Sequence, residues 1–176
     1  MTCNVQKSLV TLDENSKSKW GEVQNQYQRR ADLVPNLVST VKGAANFEQK
    51  TLTDVINARS KATSIQVDPE NLTPEKLQEF QSAQGELSQA LGRLMMITEN
   101  YPQLRATEAF RDLQVQLEGT ENRITVARKN FNDAVQAYNT KLRVFPNNIF
   151  GGIMGFERKG MFEADKNAQK APQVQF

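Results

Sequence analysis

The chain has 176 residues, with 22 basic and 20 acidic side chains and a net charge of +2. This charge is too balanced to indicate a nucleic-acid partner, and the charged residues alternate along the sequence instead of clustering. The chain has no histidine and one cysteine, Cys3, so Cys/His zinc sites and catalysis by Ser-His-Asp or Cys-His groups are excluded. No apolar run is long enough to span a bilayer as a helix, and we expect the chain as given to be soluble.

The first predicted helix covers about residues 5–31. Its apolar residues keep helical spacing at Val5, Leu9, Leu12, Trp20, Val23 and Tyr27. Pro35 disfavours helical geometry at the residue before it, and Asp32 is a suitable N-cap. We therefore predict a chain reversal here, followed by a second helix over about residues 33–63. A single helix kinked at Pro35 is the alternative.

The third predicted helix covers about residues 74–101. It begins at Thr73-Pro74-Glu75, which provides a capping hydroxyl, a proline in the first turn and an acid near the positive end of the helix dipole. Pro102 ends the pattern. The preceding segment, Ser64 to Thr73, has no period and predicts a loop.

The fourth predicted helix, over about residues 106–145, is the longest. Its apolar or small residues recur in steps of three and four at Phe110, Leu113, Leu117, Thr120, Ile124, Ala127, Phe131, Ala134, Tyr138, Leu142 and Phe145. A helix of that length is about 60 Å long and needs long partners. We predict an all-α fold, in which residues 1–145 form an antiparallel up-and-down four-helix bundle and residues 146–176 form an irregular C-terminal tail.

The tail is rich in proline, asparagine and glycine after Phe145, which predicts no helix. It also carries a short apolar string: Ile149, Phe150, Ile153, Met154, Phe156, Met161 and Phe162. One interpretation is a strap that packs back on the bundle. The other is a segment that contacts a partner or a membrane surface, because an exposed apolar string is otherwise a liability.

One group of polar residues is the best candidate for a site: Tyr27, Arg30, Asp32, Asn36, Glu118, Glu121, Asn122 and Arg128. We favour a structural polar cluster that fixes the register of the helices, with a metal or ligand site as the alternative. Di-iron bundles use Glu-x-x-His pairs, which this chain lacks. No nucleophile–base pair, phosphate loop or cofactor motif is visible, so we expect no enzymatic activity, cofactor or bound metal.

Several segments of the chain resemble one bacterial family. They are Asn25-Gln-Tyr-Gln-Arg-Arg-Ala-Asp-Leu-Val-Pro-Asn-Leu-Val38, Thr40-Val-Lys-Gly43, Leu117-Glu-Gly-Thr-Glu-Asn-Arg-Ile124, Ala127-Arg-Lys129, Phe131-Asn-Asp-Ala-Val135, Ala137-Tyr-Asn139, Phe145-Pro146, Gly155-Phe156 and Phe162-Glu-Ala164. Over nearly the whole chain the sequence is similar to the LemA family. The resemblance implies an antiparallel four-helix bundle held outside the cytoplasm at the bacterial cell envelope, with no established biochemical activity.

The resemblance also implies a membrane anchor, either an N-terminal transmembrane helix or a lipoprotein signal. Relatives have been linked to magnetosome membranes and to bacterial surface antigens, which suggests a scaffold or adaptor with protein partners at the membrane. A module that acts on membrane surfaces through the apolar tail is the alternative function. Partner identity and oligomeric state are left open.

The front of the sequence departs from the family pattern, because only Met1 to Asn4 precede the first predicted helix. The sequence is then either a shortened form or an anchorless one. Cys3 stands where the acylated cysteine of a lipoprotein relative would stand, so lipidation of Cys3 is one prediction and a transmembrane anchor is the other.

Overall fold

The computed structural model describes residues 2–164, which form six α-helices with no strand among them. The helices are α1 (Thr2–Lys42), α2 (Gln49–Ser64), α3 (Pro74–Thr98), α4 (Pro102–Arg105), α5 (Glu108–Arg143) and α6 (Asn147–Ile153). A single 3-10 turn, Pro69–Asn71, lies in the connection between α2 and α3. The predicted all-α class is confirmed.

The two longest helices, α1 and α5, pack against each other over most of their length, whereas α2 packs mainly on α3. The α1–α5 pair is antiparallel. The ring of Trp20 lies 5.3 Å from that of Phe131, and ten residues later in α1 the side chain of Arg30 meets Glu121, ten residues earlier in α5. The N-terminal end of α1 therefore lies near the C-terminal end of α5.

The chain reversal predicted at Pro35 is wrong, because α1 continues through this residue to Lys42. The chain turns between Gly43 and Glu48 instead, where Asn46 has a positive φ of 62°. Residues 33–48, which the prediction assigned to a second helix, thus belong to α1 and to this turn, and α2 begins only at Gln49.

The helix tolerates Pro35 because a neighbouring helix satisfies the backbone group that proline leaves free. Pro35 has no N–H to donate to the carbonyl of Ala31, one turn earlier. Arg59 of α2 donates its Nε to that carbonyl at 2.8 Å. The apolar face also continues past the proline, since Val34 and Leu37 are both buried. The local defect is therefore compensated by a tertiary contact.

The remaining boundaries differ less from the prediction. The Thr73 hydroxyl accepts from the backbone N–H of Lys76, as expected for the start of α3. This helix ends at Thr98, and Pro102 opens the short α4 instead of ending α3.

The prediction of no helix after Phe145 is wrong, because α6 forms at Asn147–Ile153. Gly151 lies on the inner side of this helix. A Cβ at this position would overlap Cδ1 of Leu142, so glycine lets α6 pack closely on α5 without a shift of the Leu142 side chain.

The buried side chains form two apolar cores that follow one another along the helix axes. The first contains Val34, Leu37, Val38, Val41, Leu52, Val55, Ala62, Leu87, Ala90, Leu91, Leu94, Leu104, Phe110 and Leu117. The second contains Trp20, Val23, Tyr27, Val67, Leu72, Leu77, Phe80, Ile124, Ala127, Phe131, Val135 and Phe162. Arg30 lies at the level where the two cores meet.

Candidate functional site

A buried arginine joins three helices at the boundary between the two cores. Nη1 of Arg30 donates to Glu121 Oε1 at 3.0 Å and to the Ser88 hydroxyl. Nη2 donates to the backbone carbonyl of Gln84 at 2.9 Å and to the side-chain oxygen of the same residue at 2.8 Å. The guanidinium carbon also lies 5.0 Å from the ring centroid of Tyr27. One side chain of α1 is thus bound to α3 and α5.

The surroundings of Arg30 meet most of the requirements of a buried cation. Burying a charge is costly unless it is paired and hydrogen-bonded. Arg30 is 1% exposed and makes four hydrogen bonds through its two terminal nitrogens, while its Nε has no partner. The side chain of Glu121 is 42% exposed, so the ion pair lies at the edge of the core. This geometry supports the structural interpretation of the cluster.

Five members of the predicted cluster do not join Arg30, and four of these five are exposed. Asp32, Asn36, Glu118 and Asn122 are exposed, and Asp32 instead accepts a hydrogen bond from Gln28 on its own helix at 2.9 Å. Residues share a helix face when they are three or four apart, which Asp32 and Asn36 are not with respect to Arg30. Their assignment to one cluster is therefore wrong.

Two partners of Arg30 were missing from the predicted cluster. Gln84 and Ser88 both lie on α3, and Gln84 is buried. Gln84 lies between Phe80 and Leu87 on the mostly apolar buried face of this helix, and a polar residue at such a position is a signal that the sequence itself contains. Ser88 carried no such signal.

Arg128 lies with the C-terminal residues instead of with Arg30. Its guanidinium carbon is 4.9 Å from the ring centroid of Phe162, and its Nη2 donates to the Glu163 carbonyl at 3.1 Å. Burial raises the pKa of Tyr27 above its ordinary value, although the charges of Arg128 and Arg30 act in the opposite direction.

The alternative hypothesis of a metal site is not supported by any set of ligands in the part of the chain that the structure describes. No three or more Cys, Asp or Glu side chains converge within residues 2–164. The carboxylate nearest to the buried layer, that of Glu121, is engaged by Arg30.

The residues after α6 form an extended strap along α5 and α3. Three side-chain amides each hold the N–H and the carbonyl of one strap residue. The pairs are Asn139 with Lys159 (3.0 and 2.9 Å), Asn132 with Phe162 (2.8 and 3.0 Å) and Gln81 with Glu163 (3.1 and 2.8 Å). Each amide pairs with the strap as a neighbouring β-strand would, so the strap backbone is satisfied without a sheet.

Phe162 fixes the strap in the second core. Its ring lies 6.0, 6.3 and 5.6 Å from the rings of Trp20, Phe80 and Phe131, and the residue is 5% exposed. Its predicted alternative role as a partner or membrane contact is therefore wrong. The strap interpretation accounts for this part of the tail.

Gly160 allows the strap to lie directly on the start of α3. Its N–H donates to the Leu72 carbonyl at 2.8 Å. A Cβ at this position would lie 2.7 Å from the Cα and 2.9 Å from the N of Pro74. Since backbone atoms cannot move aside cheaply, the contact requires glycine.

The rest of the apolar string divides between buried and exposed positions. Phe150, Met154 and Phe156 are half-buried, while Ile149, Ile153 and Met161 are exposed. Cys3 is an exposed free thiol. The last predicted part of the tail, residues 165–176, lies outside the described residues.

A second charged cluster ties the strap to α1, and no sequence pattern indicated it. Asp13 lies 2.7 Å from Lys159 Nζ and 2.9 Å from Lys17 Nζ, and Lys17 also lies 2.9 Å from Glu70. Burial acts to raise the pKa of Asp13, but hydrogen bonds from Lys159 and Lys17 outweigh it and lower the pKa below the ordinary 3.8. Burial also raises the pKa of the adjacent Tyr138 to about 12.

No helix within residues 2–164 has the length and apolar character needed to cross a bilayer.

Comparison with known proteins finds similarity to magnetosome proteins and to a LemA protein. The chain is 26% identical to the magnetosome protein MamQ 2 of Paramagnetospirillum magneticum and 26% identical to MamQ of Magnetospirillum gryphiswaldense, in each case over 94% of this chain and 66% of the relative. It is 24% identical to protein LemA of Metamycoplasma hominis over 91% of this chain and 70% of the relative. The chain thus spans about two thirds of the length of the magnetosome relatives.

The sequence also matches the model of the LemA family over residues 19–176. The match includes the Arg30 layer, α5 and the strap, so it covers nearly all of the features described above. The chain belongs to the LemA family.

Proposed function

We propose that the protein is an antiparallel four-helix bundle that acts without catalysis as a membrane-anchored scaffold or adaptor of the bacterial cell envelope. One observation carries the proposal. Arg30 is the buried charged group around which a chemical site would be expected. Both of its terminal nitrogens instead donate hydrogen bonds to α3 and α5. Polar groups placed in this way rigidify a fold and specify the register of its helices.

The shape of the helix pair suits a spacer or scaffold. At about 1.5 Å per residue, the 41 residues of α1 and the 36 residues of α5 give helices about 60 and 54 Å long. Between the buried seams lie long polar faces that are open to partner proteins. Two similar proteins are named magnetosome proteins, which supports a structural role of the same kind here.

An anchor at the front of the chain would hold this rod by one end. Cys3 lies exposed in the first turn of α1. Acyl chains on its thiol would add about 0.8 kcal/mol of membrane affinity for each buried methylene, and a preceding apolar helix would hold the protein more firmly. We propose that the anchored bundle lies outside the cytoplasm. The alternative, a membrane-remodelling module that acts through the tail, stays a prediction.

The test is a pull-down of the natural full-length protein from native membranes, with mass spectrometry of its N-terminus and of the proteins that co-purify. Cells that express the untagged protein are the control. We expect an acylated cysteine or a retained apolar helix, together with a stable partner. An unmodified protein that stays out of the membrane fraction and enriches no partner would refute the proposal.

A further inference from the structure

The end of the molecule that carries α6 exposes an unusual share of its apolar side chains. Within residues 2–164, ten large hydrophobic residues are exposed, and four of them lie between positions 144 and 153. These four are Val144, Phe145, Ile149 and Ile153, with exposures between 53% and 78%. Scattered single apolar residues are normal on a protein surface, whereas a contiguous group marks an interaction site.

Contacts on the inner side of α6 fix which residues it exposes. Asn147 is buried and donates its Nδ2 to the Lys141 carbonyl at 2.9 Å. Gly151 is also buried, and it packs directly against Leu142. Ile149 and Ile153, which are four residues apart, share the outer face of the helix. Hence the apolar surface is held in place by the fold.

The charges at this end have one sign. Residues 3–12 and 134–156 contain Lys7, Lys141 and Arg143 but no aspartate or glutamate, whereas the whole chain is close to neutral, with 22 basic and 20 acidic residues. All three cations are exposed. Because α1 and α5 are antiparallel and α1 contacts α6, these cations and the exposed isoleucines belong to the same end of the molecule.

We propose that this α6 end, made of residues 3–12, 141–145 and α6, docks on an anionic phospholipid bilayer. Ile149, Ile153 and Phe145 would enter the boundary between headgroups and acyl chains, with the cations beside the lipid phosphates. An anionic bilayer fits this combination of exposed apolar side chains and the positive charge of Lys7, Lys141 and Arg143. The inference goes beyond the scaffold function, because docking requires neither an anchor nor a protein partner.

The experiment is co-sedimentation of the full chain, without any added anchor, with vesicles of phosphatidylcholine alone and of phosphatidylcholine mixed with phosphatidylglycerol. We expect binding to the mixed vesicles that weakens as salt is added. The double variant I149E/I153E should bind at least tenfold more weakly. The double variant K141Q/R143Q should lose about fivefold in binding for each cation removed, together with much of the salt dependence.

The control variant V115E/V126E replaces two similarly exposed aliphatic residues of α5 that lie outside the α6 end, and these residues are 69% and 58% exposed. It introduces the same charge as I149E/I153E and should leave vesicle binding unchanged. All these positions are exposed, so unfolding temperatures should stay near that of the unchanged protein, which verifies folding.

Three results would overturn the inference: equal binding to the neutral and anionic vesicles, equal binding by I149E/I153E and the control variant, or no vesicle binding at all. Sedimentation equilibrium without vesicles tests whether a second copy of the chain, instead of a bilayer, covers this surface. A dimer that I149E/I153E abolishes would assign the surface to a second copy of the chain. The absence of a partner in the native-membrane pull-down would refute the scaffold and leave this docking result standing.

Discussion

Removing Glu121 tests whether the buried arginine layer is structural. In E121A, Arg30 keeps its positive charge but loses the one carboxylate that pairs with it at 3.0 Å. A hydrogen bond to a charged group contributes about 1.5–3 kcal/mol, and breaking a fully buried ion pair costs about 3–5 kcal/mol. Because the Glu121 side chain is 42% exposed, water can reach Nη1, and we expect a loss near the lower range, about 2 kcal/mol.

A second substitution separates this mechanism from a general loss of packing. Methionine at position 30 fills much of the same volume without a charge, so R30M/E121A no longer buries an unpaired cation. We therefore expect the double variant to be more stable than E121A by about 1 kcal/mol or more, despite carrying one more substitution. Urea unfolding followed by circular dichroism measures both differences.

E118A is the matched control, because Glu118 is an exposed glutamate on the same helix, three residues away. Its stability should lie within about 0.5 kcal/mol of the unchanged protein. The reasoning fails if E121A costs no more than E118A, or if the effects of R30M and E121A simply add. Stoichiometric metal that disappears in E121A while stability is unchanged would establish the metal site instead.

Three further substitutions test the other tertiary contacts. G160A should lower the free energy of unfolding by about 1–3 kcal/mol, because the new Cβ meets backbone atoms. In the control G152A the new Cβ meets nothing within 4 Å, so the free energy of unfolding should not fall in this way, and thermal unfolding compares the two variants. R59M should lower the free energy of unfolding by about 1 kcal/mol, because the Ala31 carbonyl, which Pro35 leaves without a helical partner, then loses its donor. P35A/R59M should recover most of that loss in the same assay, because the backbone N–H of Ala at position 35 can donate to this carbonyl. The pKa of Asp13 is lowered in the folded protein, so its contribution to stability is present above the ordinary value of 3.8 and is lost as pH falls through the folded pKa. The stability difference between the unchanged protein and D13N should shrink as acid is added, and a difference that does not change with pH in urea titrations would contradict this.

The positions of the long helices could be read largely from local patterns. The Thr73-Pro74-Glu75 start and the three-and-four seam of α5 depend on residues within a few turns of one another, and the structure places α3 and α5 within a few residues of the prediction. Short-range spacing of this kind suffices because a helix is built from hydrogen bonds one turn apart.

The same local reasoning failed at Pro35, where the deciding contact is distant. Proline and a suitable cap predicted a reversal, but the carbonyl freed by Pro35 accepts from Arg59, which is 28 residues away from Ala31. The prediction of no helix after Phe145 failed for a related reason. Gly151 lies inside α6 and packs against Leu142 of α5, so this glycine does not break the helix.

The sequence by itself determined the all-α class, the family, and the polar candidates Arg30, Glu121 and Tyr27. Only the tertiary structure decided that Gln84 and Ser88 complete the layer, that amides of α3 and α5 hold the strap, and that Asp13 meets Lys159. These partners lie between 20 and 146 residues apart, on elements whose relative register no local period encodes. The physical reason is that periodicity records which face of a helix is buried, whereas the partner of each polar group depends on how the helices slide and rotate against one another.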